Sequence, residues 1–184
     1  MNDDDFDSLQ DKVAELRSSL PGMRTRWDAS PDEYEFVEIG DGAALSEPDQ
    51  YPQDLNRLNS LFGSATFGAI DFDGEEYFEA ETPVDFNGDR IDDIDWIRIG
   101  TVNHEDSILV DKATGRTMVY FLNYGKYGWD NGVMIDCPSP TMFVDTVCFG
   151  PRYREIEGPV ELQAESWWED DPWYNYLRER GYHQ

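Results

Sequence analysis

The stretch Asp85-Phe86-Asn87-Gly88-Asp89-Arg90-Ile91-Asp92-Asp93 places side-chain oxygens at alternating positions, the arrangement with which a loop wraps a hard cation such as calcium. Ile91 would offer a backbone carbonyl and Asp93 would close the loop. Two positions disagree with that chemistry. Arg90 stands where a calcium loop of the EF-hand kind needs glycine for its sharp turn, and Trp96 stands where it needs a bidentate glutamate. The competing reading is an acidic turn whose short side chains bond their own backbone. No metal site and no cofactor are assigned.

Other groups with reactive potential are sparse. His104 falls in a turn between strands and His183 near the last residue, and neither has a spacing partner suited to zinc. A Cys137–His104 dyad competes with a plain structural cysteine before Pro138. A Walker loop, a G-x-S-x-G elbow, a C-x-x-C pair and a basic patch are all absent from the sequence. With 40 acidic residues, paired carboxylates arise by chance and carry no catalytic argument. The expectation is a protein that is not an enzyme and has no catalytic residues.

Aromatic segments are the other candidates, and their chemistry is recognition. Tyr120-Phe121-Leu122-Asn123-Tyr124-Gly125-Lys126-Tyr127-Gly128-Trp129 combines rings with glycines that free a loop, so it could present binding hot spots or fill the core with alternate rings. Trp167-Trp168 poses the same choice, because adjacent rings do not easily face one core.

Charge narrows the partner. The net charge is -26 over 184 residues, and such a field repels nucleic acid and anionic membranes. Steering toward a basic protein is the functional reading; solubility or high-salt adaptation is the other, and the small number of lysines (Lys12, Lys112 and Lys126) fits it. Spread over a surface on the order of 9,000 Å², this charge is roughly threefold sparser than on duplex DNA. Only a clustered acidic face could imitate that polymer. No apolar run approaches the ~20 residues of a membrane span, and the acidic start Met1-Asn2-Asp3-Asp4-Asp5 is unlike a signal peptide. A cytoplasmic location with Cys137 and Cys148 reduced is expected.

These residues must be positioned by a single domain. Phe6, Leu9, Val13, Leu16 and Leu20 mark a helix that Pro21-Gly22 ends. Ser30-Pro31-Asp32-Glu33 reads as a capping box for a second helix through Tyr34, Val37 and Glu38, with a strand over Glu35–Ile39 as the alternative. Leu55, Leu58, Leu61 and Phe62 form a third helix between Pro52 and Gly63. Thr66 to Phe72 and Tyr77 to Glu81 read as a hairpin about Asp73-Gly74. Strands follow at Ile94–Ile99, Ser107–Val110 and Thr117–Leu122, separated by Gly100-Thr101 and Thr114-Gly115. Pro140 and Pro172 each open a later helix, and Pro151–Asp170 reads as an extended surface excursion. The fold class is α+β, a mostly antiparallel sheet flanked by N- and C-terminal helices, with 151–184 as an acidic and aromatic extension.

The run from Trp96 to Phe121 resembles the central strands of the SUKH superfamily through Ile99, Gly100, Asp106, Ser107, Asp111, Thr114 and Gly115. This resemblance implies a SUKH-like scaffold, and with it the role of many bacterial members: a cytoplasmic immunity protein that binds and neutralises a cognate toxin, often one acting on nucleic acid. The expected interface combines Asp73, Glu75, Glu76, Asp89, Asp92 and Asp93 with Tyr124, Tyr127 and Trp129 as aromatic anchors. The partner would be a basic protein toxin or a nucleic-acid enzyme, with no direct nucleic-acid or membrane contact. An acidic DNA-mimicking decoy, a calcium-dependent binding module and a structural assembly protein are the alternatives.

Overall fold

The structure is a computed structural model that describes residues 3–26 and 36–184. Its centre is the expected run of β-branched and aromatic residues. β5 (Trp96–Val102), β6 (Asp106–Asp111) and β7 (Thr117–Tyr120) pair antiparallel in succession, Ile97 opposite Val110 and Ile108 opposite Val119. The turn between β6 and β7 is built by residues that carry the resemblance. Asp111 Oδ1 accepts from the Ala113 N–H at 2.8 Å, the Thr114 hydroxyl donates to Asp111 Oδ2, and Gly115 takes φ +80°.

Gly100 acts differently from its expected role as a turn former. β5 runs straight through it with a bulge between Arg98 and Gly100. A Cβ at Gly100 would lie 2.0 Å from the Asp71 carbonyl oxygen, so glycine is there to let a neighbouring strand approach. The chain reverses instead at Asn103 and His104, both left-handed at φ 52° and 61°.

Five more strands complete an eight-stranded sheet: β1 (Val37–Ile39), β2 (Ala65–Phe67), β3 (Ile70–Phe72), β4 (Glu79–Glu81) and β8 (Val133–Cys137). The order is β1-β2-β3-β5-β6-β7-β8, with β4 also pairing β5 beyond the end of β3. Every pairing among these strands is antiparallel. Two expectations change here. Val37 and Glu38 lie in a strand, not a helix, while the Ser30–Glu33 capping box and Tyr34 fall outside the described residues. The Asp73-Gly74 hairpin does not form: Gly68, at φ +63°, makes the tight turn between β2 and β3, and Gly74 sits at φ -68° in a short excursion before β4. β8 was not expected from the sequence.

Helices cover one face. In α1 (Asp3–Arg26) the apolar stripe Phe6, Leu9, Val13 and Leu16 is buried, and the helix continues through Pro21 because Met23 keeps the spacing and is itself buried. α2 (Gln53–Phe62) ends at Gly63, as its sequence indicates. α3 (Pro140–Phe143) is capped by Ser139, whose Oγ accepts from Met142 N at 3.2 Å, and runs into a wider π turn through Cys148. α4 (Pro172–Arg180) is capped by Asp171 at 2.7 Å from Tyr174 N and closed by left-handed Gly181.

The stretch Pro151–Asp170 is not extended, and only its second half lies on the surface. It forms short 3-10 turns that bury Tyr153 and Ile156 completely. Residues 151–184 therefore feed the main core, with Trp173, Tyr176 and Leu177 beside them. The molecule is one α+β domain. Among its described residues, no helix is long and apolar enough to cross a membrane.

Candidate partner-binding surface

Alternate residues of the central strands face away from the helices, and there the core is small: Trp96, Leu109, Met118 and Tyr120. A loop covers them instead of a helix. Residues 82–95 lie across this back face as a strap, with Ile91 and Ile94 packed on the cluster beside Tyr124 and Val133. Two polar side chains fasten it. The Tyr120 hydroxyl donates to the Val84 carbonyl at 2.5 Å and accepts from the Val84 N–H at 3.2 Å. The Trp96 indole N–H donates to Asp92 Oδ1 at 2.9 Å, and the Ile94 N–H reaches the same oxygen at 3.1 Å. Asp92, expected at the interface, is thus half-buried and structural.

The tip of the strap is the stretch first read for calcium chemistry. Val84 pairs with Arg90 across it and Gly88 takes φ +86°. Asp85 Oδ1 accepts the Asn87 and Asp89 N–H groups at 2.8 and 3.0 Å. These bonds, the one from Asp89 foremost, hold the Asp85 carboxyl below its ordinary pKa. The carboxylate is turned inward on its own turn, which is the Asx arrangement. Among the described residues, no three His, Cys, Asp or Glu side chains converge to hold a metal ion.

The tip also joins the aromatic segment. Asp85 bridges to Asn131, and the Phe86 N–H donates to the Asp130 carbonyl at 3.2 Å. Behind that bridge, Tyr127 stacks on buried Phe121 at 5.8 Å and lies 5.0 Å from Trp129, and its hydroxyl donates to the Glu157 carbonyl. Tyr124 turns the other way, onto Tyr120 at 6.4 Å. All three expected anchors are half-buried, so each ring has one side committed to the fold. The fully presented apolar groups near them are others: Phe86, 79% exposed at the tip, and Leu122, 54% exposed, while Tyr77 and Leu162 are exposed elsewhere. A phenylalanine between Asp85 and Asn87 in a turn cannot reach a core, and that local pattern was the available signal.

The nine expected residues therefore divide. Asp89 and Asp93 are exposed on the strap, near the aromatic segment. Asp73, Glu75 and Glu76 belong to the excursion before β4. Glu75 accepts from the Ser46 N–H and hydroxyl at 2.8 and 2.7 Å, which ties down the 43–51 loop. Burial raises the Asp73 carboxyl, opposed by Arg98 and reinforced by Asp71 and Glu79. Glu76 is exposed.

Elsewhere on the back face, Asp71 accepts from Thr66 Oγ1 at 2.7 Å and meets His104 Nδ1 at 3.0 Å. With Glu38 and Asp171 they line a cleft of about 540 Å³. No sequence spacing linked Asp71 to His104, because the β3–β5 pairing alone brings them together. His104 thus faces Asp71, while Cys137 lies on the opposite face beside Arg152, whose Nη1 is 3.3 Å from its sulfur. Burial pushes both the Cys137 and Cys148 thiols up, and both are free. A thiol so raised is a poor nucleophile. No known protein family, curated protein or solved structure matches the chain.

Proposed function

We propose that this chain is a non-enzymatic, SUKH-like immunity protein of the cytoplasm that binds and neutralises a cognate basic toxin acting on nucleic acid. The observation that carries the reading is the strap tip. There an Asx turn presents Phe86, with exposed Asp89 and Asp93 on the same strap and exposed Asp130 bonded to it through the backbone, beside the half-buried rings of Tyr124, Tyr127 and Trp129. An exposed apolar anchor on an acidic strap suits a cleft whose arginines and lysines otherwise grip phosphates. Binding there would both steer the encounter and block the catalytic groove.

Co-expression with the product of the neighbouring gene, followed by calorimetric titration, tests the reading. A stable complex that weakens with salt and loses at least about tenfold in affinity on Phe86→Ala supports it. A neighbour that is no toxin, or a complex indifferent to salt, contradicts it.

A further inference from the structure

We propose that the outer edge of β4 is a strand-addition site for an extended, lysine- or arginine-rich segment of a protein partner. β4 pairs with β5 on one side only, and no hydrogen bond from the described residues reaches the outward backbone of Glu79, Ala80 or Glu81. Glu79 and Ala80 are exposed. At the β8 rim of the sheet, by contrast, Arg152 Nη1 donates to the Asp136 carbonyl at 3.4 Å. Ser46, by holding Glu75, anchors the preceding excursion to the 43–51 loop.

Unpaired strand edges recruit other strands, and proteins commonly suppress this with charge. Here the charge has one sign. Asp73, Glu75, Glu76, Glu79 and Glu81 surround the edge, with Arg98 already paired to Glu79 at 2.9 Å. A second copy, itself at -26, is repelled. A cationic strand is attracted, and its main chain gains the bonds that β4 leaves unmade. Pro83 ends the edge, so the added strand spans about four residues, roughly 13 Å. The inference deepens the toxin-binding reading and rests on it only for who supplies the segment.

The test uses the whole chain and a probe, acetyl-Lys-Val-Lys-Val-Lys-Val-amide, at physiological ionic strength. A second probe has the same side chains with every backbone nitrogen methylated. The expected result is binding of the first probe with slowed hydrogen exchange at residues 79–82. The methylated probe should bind at least about tenfold more weakly, and Glu76→Lys with Glu79→Lys should weaken the first probe. Equal binding of the two probes overturns strand addition while leaving electrostatic attraction to a basic partner intact. Protection confined to the strap moves the site and also overturns it. Failure of both probes to bind removes the edge site and weakens the electrostatic reading with it.

Discussion

The two faces of the sheet are built from alternate residues of the same strands, yet they are closed in different ways. On the front, Ile97, Ile108, Val110, Val119 and Ile135 meet four helices and a cluster of rings that includes Phe67, Phe149 and Trp173. On the back, four buried side chains lie under a strap fastened by the Tyr120 hydroxyl and the Asp92 carboxylate. A face closed by hydrophobic area resists substitution collectively. A face closed by a few hydrogen bonds can hold exposed groups rigidly without needing them for stability. On the proposed reading, that division leaves the front to fold the protein and the back to recognise another.

The largest expected effect breaks the front. Trp173→Ala removes a fully buried ring that stacks on Tyr176 at 5.0 Å and donates to the Cys148 carbonyl, and it should cost about 3–5 kcal/mol by urea denaturation. A loss no larger than that of a surface change would deny that residues 151–184 belong to the core.

On the back, Tyr120→Phe keeps the ring and deletes both bonds to Val84. A loss of about 1–2 kcal/mol is expected, with hydrogen exchange accelerated in residues 82–95 before it changes in β6. Uniform acceleration across the sheet would mean that the strap is not a separate unit.

Acidity acts on the α4 cap and on the strap tip with opposite signs. Burial raises the Asp171 carboxyl, against the hydrogen bonds it accepts, so its folded form holds a proton more tightly than the unfolded chain does. Its contribution is full below the unfolded value near pH 4 and is lost as pH rises through the folded value. Asp85 is depressed, so its contribution is present above that unfolded value and lost as pH falls through the folded one. Acidification should therefore relieve the burial penalty at Asp171, stabilising the folded form there, while loosening the strap tip, read by site-resolved exchange against pH. Asp171→Asn should flatten the first trend and leave the second.

The smallest effect on stability should come from Asp89→Lys with Asp93→Lys, within about 0.5 kcal/mol by thermal unfolding. A larger loss would make these carboxylates structural, as Asp92 is.

The front was largely legible in the sequence because its signals are local. Leu55, Leu58 and Phe62 fall at helical spacing before Gly63, and Asp171-Pro172 and Ser139-Pro140 announce the helices they cap. β5, β6 and β7 show in their β-branched runs. What failed required knowledge of neighbours. Gly100 looks like a turn former until β3 is placed against it, and Asp73-Gly74 looks like a hairpin until Gly68 takes the left-handed position. Pro21 looks like a helix end until Met23 finds the core. The candidate site is legible in part: Asp89 and Asp93 read as exposed acids and are exposed, but Asp92 reads the same way because its bond to Trp96 is invisible in spacing. Phe86 is hidden inside a motif whose pattern is set by its oxygens.

The most direct measurement is the association rate with the proposed toxin, sought as the product of the neighbouring gene, taken at low and high salt for the native chain and for Asp89→Lys with Asp93→Lys. The account predicts a native rate that falls steeply with salt and a variant rate slower by about tenfold or more at low salt, the two converging as salt rises. A native rate independent of salt, or a charge-reversed variant that associates as fast as the native chain, would contradict it.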